Sequence, residues 1–231
     1  MKVVVINGSP RMGKGNTGMV LAPFIEGMEE AGGEVELFYP DKLDIHPCAC
    51  GQMLCWYGTP GECVYKDDMQ RLYAAIRSAE ILVLATPVYI PLPGTMQNVV
   101  NRLCPLIVPE LVERDGRTRA RFREDVAIKR IALLATGGWW EKQNFEIVVR
   151  IAEELAENGS VAFGGAVLRP HAFLMKAGGK LTEDGRAVLE QVRTAGSELV
   201  RDGGMKPETL GAIARPLVIE AELRERYNRM L

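Results

Sequence analysis

Short apolar segments alternate with longer amphipathic segments along most of this chain. Segments rich in β-branched residues predict strands at residues 3–6, 35–39, 81–86, 131–136 and 161–168. Apolar residues at helical spacing predict helices over residues 17–31, 67–79, 95–103, 141–158 and 182–201. Because strands that alternate with helices form a parallel sheet covered on both faces, the pattern predicts an α/β protein.

Right-handed crossovers leave few arrangements for five such strands. The simplest is a doubly wound five-stranded parallel sheet of flavodoxin-like order 2-1-3-4-5, which binds ligands beyond the carboxyl ends of its strands. We therefore expect functional residues in the loops after the first four strands. The predicted organisation is a domain over residues 1–204, with a cysteine-rich loop at 46–66, and a C-terminal helical extension at 205–231.

Composition and charge argue against several classes of partner. The hydrophobic share of 47% and the charged share of 25% are typical of soluble globular proteins. A net charge of −2 provides no basic surface for nucleic acid. No apolar run approaches the roughly 20 residues of a membrane helix, and the N-terminus lacks the features of a signal peptide. We expect a cytoplasmic protein that binds neither nucleic acid nor membrane.

The loop after the first predicted strand reads NGSPRMGKGNTG. It does not fit a nucleoside-triphosphate loop, because Gly15 stands where Ser or Thr would bind magnesium, and its glycines come too late for a dinucleotide fingerprint. The donors around the predicted helix N-terminus instead suit a terminal phosphate; they are Ser9, Arg11, Asn16 and Thr17. Alternatively, Asn16 or Thr17 only caps the helix.

Four of the five cysteines follow the second predicted strand with the spacing Cys-x-Cys-x4-Cys-x7-Cys; they are Cys48, Cys50, Cys55 and Cys63. In a reducing compartment such cysteines are more often metal ligands or catalytic groups than disulfides, and four thiolates can hold one 4Fe-4S cluster. Zinc, a disulfide, or buried thiols without a metal are the alternatives. Cys104, at a predicted helix end, is expected only to pack in the core.

Two further features have simpler interpretations. The segment 104–129 is long for a connection and includes Arg117, Arg119, Arg121 and Arg123, so we expect a solvated basic loop or a subunit contact. The two histidines, His46 and His171, are expected to be surface or structural residues, because only two histidines are available for a histidine-based mechanism.

Several segments, in order, resemble the NAD(P)H-dependent FMN reductases and the related iron–sulfur flavoproteins. GSPRMGKGNT is similar to their phosphate loop, TPVYIPLPGTMQNVVNRL to their Pro-x-Tyr loop and the next helix, and TGGWWEKQNFE to a Gly-rich segment of the iron–sulfur branch. GGAVLRPH and ETLGAIARPL also look like that branch. The resemblance extends from the first strand nearly to the C-terminus and implies a flavodoxin-like fold.

The resemblance implies FMN as cofactor. Its phosphate would be held by Ser9, Arg11, Asn16 and Thr17. Its isoalloxazine ring would be lined on one side by Pro87, Val88 and Tyr89 and approached at its other edge by Thr136, Gly137 and Gly138. The cysteine spacing departs from the compact Cys-x2-Cys-x2-Cys of iron–sulfur flavoproteins, and the departure affects Cys50 most.

The predicted function is an FMN-dependent oxidoreductase that moves electrons between a reduced donor, FMN and a 4Fe-4S cluster on the four clustered cysteines. One alternative is an NAD(P)H:FMN or quinone reductase without a cluster, and another is a non-enzymatic flavodoxin-like binding module. The partners would be small-molecule or protein electron donors and acceptors, with NAD(P)H as a candidate substrate. A homodimer or homotetramer is expected by analogy, with contacts through residues 104–129 and the segment from Met205 onward.

Overall fold

The computed structural model describes residues 1–229. Its strands, in chain order, are β1 (Lys2–Asn7), β2 (Glu34–Phe38), β3 (Ile81–Pro87), β4 (Val112–Arg114), β5 (Arg117–Arg119), β6 (Arg130–Thr136), β7 (Ala162–Arg169), β8 (Lys176–Ala177) and β9 (Lys180–Leu181). The central sheet is parallel with the order β2-β1-β3-β6-β7. This confirms the predicted flavodoxin-like order 2-1-3-4-5, counted over the strands of that sheet.

The helices are α1 (Asn16–Glu30), α2 (Leu54–Tyr57), α3 (Met69–Ser78), α4 (Gly94–Asn101), α5 (Glu146–Gly159), α6 (Glu183–Arg201), α7 (Pro207–Ala214) and α8 (Glu220–Asn228). The helix predicted at 141–158 starts later, because a separate 3-10 turn occupies Lys142–Phe145. α7 and α8 lie in the segment predicted as a helical extension, and the domain division at residue 204 stays a prediction.

The sheet is buried on both faces. Along β1, Val3 and Val5 belong to the core on one face, whereas Val4 and Ile6 belong to the core on the other. Side chains of a strand alternate between faces, so a strand covered on both sides must be apolar throughout. The first core includes residues of α1 and α6, and the second includes residues of α3, α4 and α5.

Two glycines allow α1 and α6 to pack with their backbones in contact. A Cβ at Gly27 would overlap the carbonyl of Arg193, and a Cβ at Gly196 would overlap the carbonyl of Phe24. Only glycine permits this approach. The two helices therefore pack closely against each other over one face of the sheet.

The segment 104–129 is not a free basic loop. It contains the antiparallel pair β4–β5, whose arginines bind glutamates of α5: Arg117 to Glu154 at 2.8 Å and Arg119 to Glu157 at 2.5 Å. The prediction of a solvated loop was wrong at these positions, because both arginines form ion pairs with glutamates of the same chain.

Within residues 1–229, no helix combines the length and apolarity needed to cross a bilayer.

A buried arginine–histidine pair ties the end of β7 to the segment after α7. Arg169 is fully buried and donates to the carbonyls of Ile213 at 2.6 Å and Arg215 at 3.0 Å. The Nε2 atom of His171 lies 2.9 Å from Nη2 of Arg169 and accepts a hydrogen bond from the Leu217 amide at 3.1 Å. Because two donors face Nε2, the ring is neutral. Burial and the neighbouring guanidinium lower the pKa of His171 to about 4.

This pair predicts a loss of stability in mild acid. Between about pH 6.5 and pH 4 the unfolded chain takes up a proton on His171 that the folded chain excludes, so the free energy of unfolding should fall as the pH drops through that window. The contribution is about 3 kcal/mol at most. Urea unfolding at pH 7 and at pH 4.5 measures it.

His171→Gln is the matched variant, because an amide oxygen accepts the same hydrogen bonds but does not titrate. The loss of unfolding free energy between the two pH values should be clearly smaller in this variant than in wild type. An equal loss in wild type and His171→Gln would show that His171 is not the group responsible.

Candidate functional site

Three loops meet at the carboxyl edge of the sheet. The carbonyl of Thr136, at the end of β6, accepts a hydrogen bond from the Val88 amide at 2.8 Å. Its hydroxyl lies 2.8 Å from the hydroxyl of Thr17. Since β1, β3 and β6 are adjacent and parallel, their carboxyl ends share one edge. The structure thus brings together members of all three sets of predicted site residues.

The start of α1 leaves its first amides free for a ligand. The residue at the cap position is Gly15, which has no side chain, and Asn16 and Thr17 are the first two residues of the helix. Helical hydrogen bonding begins with the Met19 amide, which donates to the Gly15 carbonyl at 3.0 Å. The amides of residues 16–18 precede it. Capping by Asn16 or Thr17 was therefore the wrong alternative.

Ser9 and Arg11 flank this helix start. Ser9 is buried, and its amide donates to the side-chain oxygen of Asn7 at 3.0 Å. Arg11 is exposed. A Cβ on Gly15 would lie 3.1 Å from the Ser9 hydroxyl and 3.0 Å from Cβ of Arg11. The loop therefore surrounds the helix start with a hydroxyl, a cation and main-chain donors, a set that fits a phosphate dianion.

Two buried polar groups at this edge have no partner within the described residues. They are Nδ2 of Asn7 and Oγ1 of Thr95. Thr95 lies in the first turn of α4, which packs against the β1 loop: a Cβ on Gly8 would lie 2.5 Å from Cβ of Met96. An unsatisfied buried polar group costs about 1–3 kcal/mol, which a ligand with polar oxygens would offset.

Sequence reasoning singled out neither of these groups. Asn7 could have been recognised from the sequence as a polar residue at the end of an apolar strand. Thr95 had no comparable signal, because its burial depends on how α4 packs.

The loop after β3 is partly open to solvent. Pro87 and Val88 are half-buried, whereas Tyr89 is 54% exposed and Ile90 is fully exposed. The carbonyl of Pro91 accepts a hydrogen bond from the Tyr89 amide at 2.8 Å, which closes a tight turn. This turn presents apolar side chains beside Thr136.

The two glycines after β6 are packed by the chain itself. A Cβ at Gly137 would lie 2.8 Å from the ring of Phe145, and one at Gly138 would lie 2.7 Å from the hydroxyl of Tyr227. That hydroxyl donates to the Gly138 carbonyl at 3.1 Å, so α8 packs beside the loop. The space that the missing side chains leave is therefore used at least in part by Phe145 and Tyr227.

The second cluster of predicted site residues lines one small cavity. A space of about 20 Å³ is bordered by a group of thiols that we call the cysteine nest; its members are Cys48, Cys50, Cys55, Cys63 and Cys104. The prediction that Cys104 only packs in the core was incomplete, because its thiol faces that of Cys55. Cys104 begins a 3-10 turn just after α4, far from the other four in sequence.

A buried ion pair holds both ends of the cysteine-rich loop. Asp67 and Arg102 form two hydrogen bonds at 2.7 and 2.9 Å, and their side chains are 2% and 1% exposed. The Asp67 carboxylate also accepts the His46 amide, while Arg102 donates to the His46 carbonyl. Burial favours a higher pKa for Asp67, but the hydrogen bonds from Arg102, His46 and Met69 outweigh it and hold the pKa below its ordinary value.

The thiols differ in how readily they lose a proton. Burial raises the pKa of Cys104 to about 12 and also raises that of Cys48 and Cys55. The backbone amides of Leu54, Gln52 and Met53 lower that of Cys50. Thiols bind metals as thiolates, so metal uptake by the nest would release protons.

The nest fits a thiophilic metal in its donor chemistry, since five sulfur atoms border one cavity. No set of three or more His, Cys, Asp or Glu side chains in residues 1–229 is arranged to hold a metal ion. The cavity is about the size of one water, so a cluster would require the loop to open around it.

Comparison with known proteins gives consistent results. An iron–sulfur flavoprotein of Archaeoglobus fulgidus is 35% identical over 107 residues, which are 46% of this chain and 46% of that protein. The chain thus matches about half the length of such relatives. The Bacillus subtilis protein YwqN, named as an NAD(P)H-dependent FMN-containing oxidoreductase, is 26% identical over 73% of this chain and 84% of its own.

Among solved structures, the NAD(P)H:quinone oxidoreductase of Methanothermobacter marburgensis superposes with a TM-score of 0.58 at 18% identity, covering 86% of this chain and 96% of its own. At that identity the likeness shows the fold. The family model described as NADPH-dependent FMN reductase matches residues 1–173, which include β1, β3, β6 and all the predicted site residues. The chain therefore belongs to the NADPH-dependent FMN reductase family.

Proposed function

We propose that this protein is an FMN-dependent oxidoreductase of the iron–sulfur flavoprotein type, which exchanges electrons between a reduced donor, FMN and a 4Fe-4S cluster in the cysteine nest. NAD(P)H is the proposed small-molecule donor, in keeping with the family description. The observation that carries the proposal is the phosphate-sized set of donors at the start of α1, beside the loops after β3 and β6.

The proposed roles follow from position. Ser9, Arg11 and the amides at the start of α1, with Asn16 and Thr17, would bind the FMN phosphate. The exposed cation of Arg11 neutralises charge on the phosphate, while the buried hydroxyl of Ser9 fixes its position. The ring would lie beside two sets of residues, namely Pro87, Val88 and Tyr89, and Thr136, Gly137 and Gly138.

The chain's own residues have a limited task in this chemistry. FMN, when bound, accepts two electrons together and can release them singly, and a protein contributes binding, orientation and electrostatics. Thr136 contributes to the orientation of FMN, because its hydrogen bonds fix the start of α1 and the loop after β3 relative to each other. Nε2 of the buried His171 is engaged by Arg169 and by the Leu217 amide. The role of His171 is therefore structural rather than proton transfer.

The proposed cluster is supported by the five thiols of the nest and by relatives named iron–sulfur flavoproteins over part of their length. The second candidate is an NAD(P)H:FMN or quinone reductase without a cluster. It is favoured by the small volume of the cavity and by the raised pKa values of Cys48, Cys55 and Cys104, which oppose formation of the thiolates that a metal requires. A binding module without enzymatic activity is the third, and turnover with NADH, NADPH or reduced ferredoxin would eliminate it.

A homodimer or homotetramer belongs to the same proposal. The exposed apolar side chains near the predicted ring site are Tyr89 (54%), Ile90 (100%) and Trp139 (65%). A second subunit over these groups would remove them from water and exclude solvent from the ring. Light scattering of the FMN-loaded protein tests this assembly, and a monomer would contradict it.

Removing the positive charge at the phosphate site should weaken FMN selectively. Arg11→Gln should reduce FMN affinity about tenfold, because a charge-assisted hydrogen bond contributes about 1.5 kcal/mol or more. Riboflavin, which lacks the phosphate, should bind wild type and variant equally. Quenching of flavin fluorescence during titration measures both affinities.

The matched control is Arg71→Gln, which removes the same charge from an exposed position on α3. Its affinity for both flavins should equal that of wild type. An Arg11→Gln variant that loses riboflavin and FMN affinity to the same degree would contradict phosphate binding by this loop.

Anaerobic purification tests the cluster directly. The proposal predicts brown protein with a broad absorbance under the flavin bands and about four iron and four sulfide per chain. Yellow protein with stoichiometric FMN and no iron would eliminate the cluster and leave the cluster-free reductase. Metal and acid-labile sulfide analysis of the same sample gives the answer.

A further inference from the structure

A pocket of about 350 Å³ lies between the loop after β6 and helix α8. The loop contributes Trp139 and Trp140 to its apolar walls, and the helix contributes Leu223 and Tyr227. This volume is in the range of sites that bind small organic molecules. We propose that the pocket binds an uncharged, planar aromatic molecule in addition to FMN. Such binding is independent of the cluster in the proposed function.

One face of α8 forms a side of the pocket. Four of its residues are spaced i, i+3, i+4 and i+7, which places them on the same side of a helix; they are Glu220, Leu223, Arg224 and Tyr227. The apolar residues of such a face normally close against a neighbouring element. Here Leu223 is buried, yet a space remains between this face and the two tryptophans.

Hydrogen bonds fix the walls of the pocket in place. Nε1 of Trp140 donates to the Val218 carbonyl at 2.9 Å. The hydroxyl of Tyr227 donates to the Gly138 carbonyl at 3.1 Å, and its ring meets that of Phe173 edge to face, with centroids 5.7 Å apart. Because residues that do not line the pocket hold both side chains, the space exists before a ligand binds, which lowers the entropic cost of binding.

The walls present flat apolar surfaces. The polar atoms of Trp140 and Tyr227 are engaged by main-chain carbonyls, so these two side chains offer their rings to the pocket. Trp139 is 65% exposed, so much of its indole is open to solvent at the pocket. Planar aromatic molecules stack against such rings. The shape and chemistry of the walls therefore favour an aromatic ligand.

The charged groups at the pocket favour a ligand without charge. Arg224 and Glu220 form an ion pair on α8, and Glu141 adds a second carboxylate. The balance is one negative charge, which repels anions. Within the described residues, Glu220 takes one of the five N–H donors of Arg224, so another can donate to a carbonyl oxygen at the edge of a ligand.

The pocket is separate from the predicted FMN site. It shares no lining residue with the sets predicted for the phosphate and the ring, and α8 lies beyond residues 1–173, which the family model matches. The two sites are connected by the hydrogen bond between Tyr227 and the Gly138 carbonyl. We therefore expect the ligand and FMN to bind at the same time, next to each other.

The test uses coumarin, a neutral bicyclic lactone, as the probe. Coumarin is titrated into the full chain, first without FMN and then with it, and the NMR signals of the three tryptophan indole N–H groups are followed. The signals of Trp139 and Trp140 should shift and saturate at one coumarin per chain. The signal of Trp56, which lies in α2 and does not line the pocket, should not move.

Trp139→Ala should weaken coumarin binding about tenfold, because it removes one aromatic wall. The matched control is Tyr57→Ala, which removes a ring that is 74% exposed on α2 and should leave the affinity unchanged. Coumarin-3-carboxylate, which has the same rings and a negative charge, should bind wild type more weakly than coumarin. The thermal unfolding midpoint of each variant shows whether the fold is intact.

Unmoved Trp139 and Trp140 signals, a shift of Trp56 equal to theirs, or wild-type affinity in Trp139→Ala would overturn the proposal. Displacement of coumarin by FMN would overturn it as well, because the probe would then occupy the ring site. So would tighter binding of the carboxylate, or binding that occurs only when an oligomer is diluted to monomers, since a second subunit would then fill the pocket. Protein that binds no FMN would refute the proposed function, while coumarin binding to wild type and Trp139→Ala without FMN would still decide this proposal.

Discussion

The hydrogen bonds of Thr136 are the interaction on which the candidate FMN site depends. Through its carbonyl and its hydroxyl, this residue joins the end of β6 to Val88 and to Thr17. Each partner belongs to a different βα unit, so the three loops take one arrangement rather than moving separately. A site made from loops needs such links, because loops are otherwise the most mobile parts of a fold.

The Asp67–Arg102 pair has the corresponding role for the cysteine nest. It closes the loop between His46 and Asp67 and, through Arg102, connects that loop to the turn that carries Cys104. A buried ion pair is costly to desolvate and contributes little net stability, but its many hydrogen bonds specify one geometry. In this protein, that geometry brings together thiols that are distant in sequence.

The sheet was predictable and much of the detail was not. Continuous apolar strands and amphipathic helices leave few topologies, so the strand order followed from the periodicity. The position of Cys104 could not be predicted in the same way. It depends on tertiary hydrogen bonds of Arg102 and Trp56, which the spacing of residues in the sequence does not show. The N-cap of α1 was not identified from the sequence either, since the two residues after Gly15, Asn16 and Thr17, are of types that cap helices more often.

Charge was the least predictable property. Arg117 and Arg119 suggested a free basic surface, yet both are paired with glutamates of α5, which lie far along the chain. The buried Arg169 likewise finds carbonyl acceptors after α7 rather than a carboxylate.

The most direct measurement of the central claim is a crystal structure of the protein grown with FMN. We expect the phosphate at the start of α1, within hydrogen-bond distance of Ser9, Thr17 and the amides of residues 16–18. The ring should lie between the turn after β3 and the loop after β6. Density for the phosphate at any other position, or crystals with this edge of the sheet empty at saturating FMN, would contradict it.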